Sequence, residues 1–542
     1  MKEVTVGRKK VSIDGNAIDR AIEYVAPVWA QRRMAARLRM AMAGGYSGAS
    51  KTRRSLSAWI TGSNDADSDI LLDLPALRDR SRDLIRNSPL ACGSVGTIVT
   101  NVVGQGLKLQ SRIDRETLRM TDERAALWEA ETEREWQLWA DSHECDVTRA
   151  MTFADIQELV FRQTLENGDV FTLLPRFIRG GSPYQLRLQV VEADRVCNKD
   201  NTPDSDLLAG GVKKDQYGAP VEYHILKQHP GNKLYASKKT YEWDTVQAFG
   251  VNSGLRNVIH LYKIQRPGQT RGVPLLAPVI EPLKQLERYT EAELMAAVVS
   301  GMFTVFVKTE TGDGAFGTFT PSSETGGTAS DEDYKLGNGA IVGLAPNEDV
   351  STANPGRPNQ AFDPFVKSIL QQIGVALEIP YEVLIHYFSA SYSASRAALL
   401  EAWRFFRNRR AWLARNFCQL VYENWLTEAV AIGRVQAPGF FRDYRVRQAY
   451  LGSIWIGDAP GQIDPLKEVN AADKRLDLGL TTLDEETVLI TGGDFDRNYP
   501  RIKKERQMLK EIGMWVPKKE GAPAGASVGA SRPDDEDGGT DE

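Results

Sequence analysis

Neither glycine nor proline occurs between residues 394 and 432, and few architectures accommodate so long a run without a helix breaker. Leu399, Trp403, Phe406, Leu413, Phe417, Leu420, Val421, Trp425 and Val430 recur through it at three- and four-residue steps. That is the period of a helix with one buried face. From near Ser395 to beyond Ala429 the helix is about 35 residues long, a rod of roughly 50 Å at 1.5 Å per residue. A rod of that length predicts packing between subunits rather than a catalytic cleft. Arg404, Arg407, Arg409, Arg410 and Arg415 lie between its apolar positions. Before it come a short helix, Pro364 to about Leu377, and an irregular stretch, Ile379 to Ser393.

At 542 residues the chain is long enough for two to four domains and a large core. Its 67 Lys and Arg against 72 Asp and Glu give a net charge of −5, without the basic excess of a protein that grips nucleic acid tightly. The cysteines, Cys92, Cys145, Cys197 and Cys418, are scattered, which argues for a reducing compartment with neither a disulfide framework nor a zinc knuckle. No apolar run is long enough to span a membrane, and Arg32, Arg33, Arg37 and Arg39 interrupt the apolar pattern a secretory signal would need.

Residues 1–30 read as a loose leader, and residues 31–60 as a basic arm whose simplest reading is a solvated face. A helix is expected from Pro75 to about Val103, with Leu77, Leu84, Ile85, Ile98 and Val102 inward and Gly104 and Gly106 ending it. A second covers 121–140 with Leu127, Trp128, Trp136 and Trp139. A third is capped by Thr152 with Asp155 and reaches Asn167-Gly168. Short β-type runs follow at Val170–Pro175, Gln185–Val191, Val221–Leu226, Thr245–Phe249 and Val258–Tyr262, so residues 168–265 read as a mixed α+β lobe. A helix from about Pro274 to Val299 carries Ile280, Leu283, Leu286, Leu294 and Val298 on one stripe. On its exposed side Glu281, Glu287, Glu291 and Glu293 stand against Lys284 and Arg288. Met302–Lys308 and Ala340–Leu344 read as strands flanking a Gly/Thr/Ser-rich excursion at 312–338. Two helices thus bracket a small inserted lobe. Further helices are expected at 464–478 and 498–512. The Gly/Ala/Ser/Pro-rich segment 518–542, ending in Asp534, Asp535, Glu536, Asp537, Asp541 and Glu542, has the composition of a disordered tail.

The motifs that suggest chemistry each lack their context. Gly45-Tyr-Ser-Gly-Ala-Ser50-Lys51-Thr52 is one residue from a phosphate-binding loop, but a helical, Arg-rich segment precedes it where a buried strand is needed. Gly312-Asp-Gly314-Ala-Phe-Gly317 follows a strand, yet Thr318-Phe-Thr-Pro321 offers no helix start to a pyrophosphate. His143-Glu144-Cys145 lacks both the spacing and the downstream cysteine pair of a zinc deaminase. His143, His224, His229, His260 and His386 form no His-x-x-x-His pair. Asp494-Phe-Asp496 in a Gly-rich turn fits an Asx turn better than a cation site. No catalytic residues, metal site or cofactor are therefore assigned. The basic-aromatic stretch Trp403–Trp412 has the composition of a phosphate-tracking surface, but Glu401 and Glu423 are within reach as ion-pair partners. Arg404, Arg407, Arg409 and Arg410 are accordingly expected at a subunit interface or a DNA contact.

Several segments, in this order, resemble the lambda-type portal proteins of tailed bacteriophages and prophages. They are Arg80-Ser81-Arg82-Asp83-Leu84-x-Arg86-Asn87-x-Pro89, Asn101-x-Val103-Gly104-x-Gly106, Glu192-Ala193-Asp194-Arg195, and Tyr223-His224 to His229-Pro230. Val258-Ile259-His260, Arg266-Pro267-Gly268-Gln269-x-Arg271-Gly272-x-Pro274, Ile379-Pro380-Tyr381, Tyr392-Ser393-x-Ser395-Arg396 and Tyr422-x-x-Trp425-Leu426 follow. The resemblance spans roughly residues 75–480 and departs from the family's pattern at His386–Ser391, where an acidic residue and an Asn are usual.

The resemblance implies an α+β, mainly helical, portal-type subunit with wing, stem, clip and crown regions. Its expected divisions are an N-terminal arm (1–74), a wing (75–273), a first stem helix (274–299), a clip (300–361) and a second stem helix (362–378). A tunnel loop (379–395), the long helix with its return to the wing (396–479), crown helices (480–517) and the acidic tail (518–542) complete it. It also implies a homo-oligomeric ring of about twelve subunits at one capsid vertex of the virion, assembled in the host bacterial cytoplasm without a membrane. Double-stranded DNA passing through, the terminase large subunit, the major capsid and scaffolding proteins and the head-tail connector are the implied partners. Glu281, Glu287, Glu291, His386, Ser389 and Ser391 are expected to line the channel. A conduit must let DNA slide, so an acidic lining that repels phosphate suits it better than a basic one. The alternatives are a metal-dependent nucleic-acid-processing enzyme using Asp494 and Asp496, and a non-portal capsid or baseplate subunit.

Overall fold

The computed structural model describes residues 58–232, 241–301, 361–388, 391–461 and 464–514 continuously. Shorter stretches are described before residue 58 and at 305–309, 348–352 and 359. The chain divides into two compact units, residues 1–65 and 66–542. In the first, strands β1 (Lys2–Val6) and β2 (Lys9–Ile13) form an antiparallel hairpin. Ser47–Ala49 form a single helical turn, while Lys51 and Thr52 of the loop-like motif lie outside the described residues.

The second unit is α+β and mainly helical. The expected helix 75–103 is two helices, α1 (Leu74–Asn87) and α2 (Pro89–Val102). Proline at the first position of α2 forces Ser88 out of the helical region, to φ −97°, ψ 116°. Gly104 and Gly106 then take positive φ as expected. Strand β3 (Lys108–Ser111) leads to α3 (Asp122–Ala140), then to α4 (Phe153–Asn167). Thr152 and Asp155 form a reciprocal capping box on α4, and Gly168 ends it at φ 89°.

Strands β4 (Asp169–Leu173), β5 (Gln189–Val191) and β10 (Val258–Tyr262) make an antiparallel sheet with β4 in the centre. Beside it β6 (Leu208–Ala209), β7 (Val212–Lys214), β8 (Pro220–Leu226) and β9 (Trp243–Gln247) form a four-stranded meander. Only the last three residues of the expected strand 185–191 pair continuously, and the strand expected at 245–249 begins and ends two residues earlier. Phe171, Val191, Val196, Val212, Tyr223, Ile225 and Val258 fill a small core between the two sheets.

A turn at Ala277–Val279 opens α5 (Ile280–Gly301), whose start is delayed by Pro278 and Pro282, residues tolerated only near a helix N-terminus. Strands β11 (Val305–Thr309) and β12 (Glu348–Thr352) pair antiparallel, while the expected strand 340–344 and the GxGxxG segment lie outside the described residues. Helix α6 (Phe362–Leu377) follows.

The long rod is present. Helix α7 (Tyr392–Leu413), a π-helical turn (Ala414–Cys418) and α8 (Gln419–Ala431) run without a break. The extra residue in the π turn shifts the buried face by one position, which lets α8 keep Val421, Trp425 and Leu426 inward. Trp136 lies edge-on to Tyr422, Trp425 and Phe153, with ring centroids 5.2–5.7 Å apart. Each such fully buried ring contributes roughly 1.5–3 kcal/mol.

Besides β1, β2, β3, β6, β7 and β12, the elements without a distinct sequence signal are α9 (Tyr444–Tyr450), β13 (Ser453–Ile456), which pairs with β3, and the short α11 described next. The C-terminal helices are α10 (Pro465–Asp477), α11 (Leu483–Thr491) and α12 (Phe495–Glu511).

Candidate functional site: a helix pair, an uncharged segment and a buried charged node

Helices α5 and α6 lie together at their bases, where Leu283, Leu286, Ile373 and Leu377 are buried. Tyr289 stacks on Phe362 at 5.5 Å and meets Phe365 edge-on at 5.1 Å. The expected continuous stripe on α5 ends there. Leu294 and Val298 are 65% and 49% exposed, on turns of α5 beyond the Tyr289–Phe362 contact. Glu281, Glu287 and Glu291 do lie along α5, but not as a pure acidic face. Glu287 pairs with Lys284 at 3.0 Å, Gln285 donates to Glu281, and Arg288 shares the surface that carries Glu291.

The segment after α6 is less irregular than expected. Glu378 closes α6 in the left-handed region, Ile379 is buried, and Tyr381–Leu384 form one helical turn with Val383 and Leu384 inward. His386, at φ 53°, sits 3.0 Å from Thr97 Oγ1 of α2. Tyr387 and Phe388 are exposed, and Ser391 caps α7 by accepting from the Ala394 N–H. Ser389 lies outside the described residues. From His386 to Ser391 the chain carries no Asp, Glu, Lys or Arg.

Arg404, Arg407, Arg409 and Arg410 of α7 do not form one surface. Arg409 is buried over the Phe405 ring, 3.5 Å from Glu378. Arg410 donates to the carbonyls of Asn101 and Val102, so a cation closes the negative end of α2. Burial lowers the pKa of both guanidinium groups. Arg404 is exposed beside Glu401, 3.3 Å away, and Arg407 faces a groove of about 510 Å³ shared with Arg396, Trp403, Glu468 and Arg475. Asp494 and Asp496 are not set up for a cation either. Asp494 caps α12, and Asp496 pairs with Arg112 at 3.0 Å.

Sequence reasoning missed a buried charged node at the base of α5. Asp169, the first residue of β4, is completely buried. Its carboxylate accepts from Arg78 Nη2 at 2.6 Å, Arg271 Nε at 2.5 Å and the Gly272 N–H at 3.2 Å, and lies 3.2 Å from His260 Nε2. Arg271 also donates to the carbonyls of Ala193, Val196 and Gly210 at 2.6–2.8 Å, so its whole fork is engaged. Burial would raise the Asp169 carboxyl, but Arg271 and Arg78 overcome it and hold the group well below the usual carboxylate range. Burial pushes His260 down to about 4 despite its bond to Asp169. His260 is stacked on Phe171 at 4.0 Å.

Outside this centre Arg82 pairs with Asp194 and, at 3.2 Å, with Glu192, and His229 lies 3.4 Å from both carboxylates. Glu192, Asp194 and His229 are close enough to hold a cation. Both carboxylates already face guanidinium groups, however, which makes this the rim of the node. The available signal was an Asp opening an apolar strand together with an Arg-Gly between prolines. Five of the segments that carried the family resemblance contribute to this region or flank it.

Comparison with known proteins agrees with that convergence. Residues 52–410 match the family described as phage portal protein, lambda family. Portal protein B of Escherichia phage lambda is 25% identical over 495 residues, covering 88% of this chain and 91% of that protein. The portal protein of Escherichia phage N15 is 25% identical over 515 residues, covering 91% and 94%. Among solved structures, a chain from the virion of a native gene transfer agent particle aligns at 14% identity and TM-score 0.40, covering 77% of this chain and 94% of that one.

Proposed function

The chain belongs to the lambda family of phage portal proteins, and from that premise we propose that it forms the ring at one vertex of a phage or phage-like capsid. Double-stranded DNA would be packaged and ejected through the ring's axis. The observation that carries the reading is the family match across residues 52–410. In this reading α5 and α6 are the stem, β11 and β12 belong to the clip that meets the terminase and the connector, and residues 379–395 face the DNA. The first unit is an arm, residues 75–273 with the long rod form the wing, and α11 and α12 the crown. About twelve subunits close the ring. The subunit performs no chemistry of its own, and the packaging motor is a separate protein. It is a virion component assembled in the host cytoplasm, and no described helix is long and apolar enough to cross a membrane.

Physical chemistry supports a conduit. A lining that must let phosphate slide cannot offer a dense row of cations. Residues His386–Ser391 have none, and Lys284 on α5 is paired with Glu287. Negative-stain images of purified protein viewed down the particle axis should show an annulus with an open centre. Binding to a duplex probe should be weak at 50 mM salt and absent at 200 mM. Nanomolar affinity at physiological salt, or a subunit that stays single under every assembly condition, refutes the proposal.

A further inference from the structure

Helix α12 is the most exposed long helix of the second unit, with no buried residue along its length. It carries Arg497, Arg501, Lys503, Lys504, Arg506 and Lys510. Its three acids do little to offset them from outside. Asp496 is committed to Arg112, Glu505 to Arg501 at 3.0 Å, and Glu511 accepts from Gln507. The result is a basic rod, about 26 Å long by its rise per residue.

The same chain supplies the complement. The described residues end at Met514, just past the C-terminus of α12. Beyond lie residues 515–533, rich in Gly, Ala, Ser and Pro, and then Asp534, Asp535, Glu536, Asp537, Asp541 and Glu542. A Gly/Ser-type chain of that length has a root-mean-square span of roughly 24 Å. That is close to the length of the helix, so the acidic terminus can reach back along α12. Tethering at that span gives an effective concentration in the millimolar range, enough for a purely electrostatic contact between groups of opposite sign. We infer that the acidic C-terminal segment, residues 534–542, docks on the basic face of α12 in its own subunit and covers those cations against other polyanions. The inference is independent of the portal reading, because it needs only this helix and this terminus.

Zero-length carbodiimide coupling of the full-length protein tests it directly. Lys503 and Lys504 should couple to carboxylates of 534–542 in low salt, with at least a tenfold loss of yield in 0.5 M salt. The Lys214–Asp67 pair, 3.2 Å apart, serves as the internal positive control. The variant R497E/R501E/R506E keeps the reactive lysines and should lose the coupling. Assembly from a mixture of isotopically light and heavy chains should give coupling within one chain. Truncation after Pro533 should speed amide exchange in 495–511 several-fold. The inference is overturned if the control couples and the tail does not, or if coupling occurs only between differently labelled chains. It is equally overturned if truncation leaves α12 exchange unchanged while a 20-base-pair duplex slows it in both proteins, which would assign the helix to nucleic acid instead.

Discussion

Replacing Asp169 with Asn should be among the most damaging single-atom changes this fold can suffer. The carboxylate bridges two buried guanidinium groups, Arg78 at 4% and Arg271 at 2% exposure. Every group around it is a donor: two arginines, the Gly272 N–H and the His260 ring. Asn keeps one acceptor oxygen and turns an NH₂ toward donors, so Arg271 loses its carboxylate partner and Arg78 keeps only Asp194, 3.5 Å away. Removing one partner of a buried pair typically costs about 3–5 kcal/mol, because the remaining charge is uncompensated. At 1.36 kcal/mol per decade that is roughly two to four decades of hydrogen-exchange protection. The assay is native-state exchange read by mass spectrometry on peptides covering 169–173 and 258–262, which needs no assumption that so large a chain unfolds in one step. Asp169→Asn combined with Arg271→Met should recover about 2 kcal/mol or more of the loss, since a paired charge removed together leaves less uncompensated. A change of less than tenfold in protection for Asp169→Asn, or a double variant no better than the single, refutes the reasoning.

Other perturbations have equally definite signs. A Cβ on Gly272 would sit 2.0 Å from the Gly168 carbonyl oxygen, with both backbones fixed by the node. Gly272→Ala should therefore cost more than about 3 kcal/mol by the overpacking scale and leave little soluble protein, checked by soluble yield and thermal unfolding. His260 is held neutral with a pKa of about 4. The unfolded chain takes up a proton near pH 6.5 that the folded one refuses, so the node should lose up to about 3 kcal/mol as pH falls from 6.5 to 4. His260→Asn should flatten that acid limb in exchange measurements. Glu133 has the opposite sign. Burial raises it to about 7 while the Ser111 N–H it accepts pulls the other way. The folded state keeps a proton the unfolded state releases, so stability falls as pH rises from 4.5 through 7, by about 1 kcal/mol after solvent screening. Glu133→Gln should remove that slope in melting temperature between pH 5 and 7.

What the sequence revealed was what local chemistry decides. Thr152 with Asp155 announced the start of α4, and the period of the 394–432 run announced the rod, because caps and helical repeats act within a few residues. The stripe on α5 failed at Leu294 and Val298 for a different reason: periodicity says which residues share a face, not whether anything lies against it. The break at Ser88 was legible in the proline and was overridden by the apolar period on either side. Strand β13 could not be read, since its register is set by β3, more than 340 residues earlier. The arginines of α7 looked alike in sequence. Only tertiary placement separates Arg410, which closes α2, from the exposed Arg404. The node was hidden because its members are single residues, 78, 169, 260 and 271, that only the fold brings together.

The position of that node suggests why a buried charge cluster stands where apolar packing could serve stability equally well. Arg271 and Gly272 immediately precede the turn into α5, and Leu275 donates to the Leu165 carbonyl of α4 at 2.8 Å. The node therefore fixes the direction in which α5 leaves the sheet. A helix of 22 residues extends about 33 Å by its rise per residue, so a 5° error at its base moves its tip by about 3 Å. Apolar packing is non-directional and tolerates such a tilt. A guanidinium fork that bonds a carboxylate, two carbonyls of the 193–196 turn and the Gly210 carbonyl does not, because each bond weakens steeply with angle. If the pairs of helices from neighbouring subunits must meet around a common axis, angular error at each base accumulates around the ring, and a directional anchor is the feature the geometry most requires.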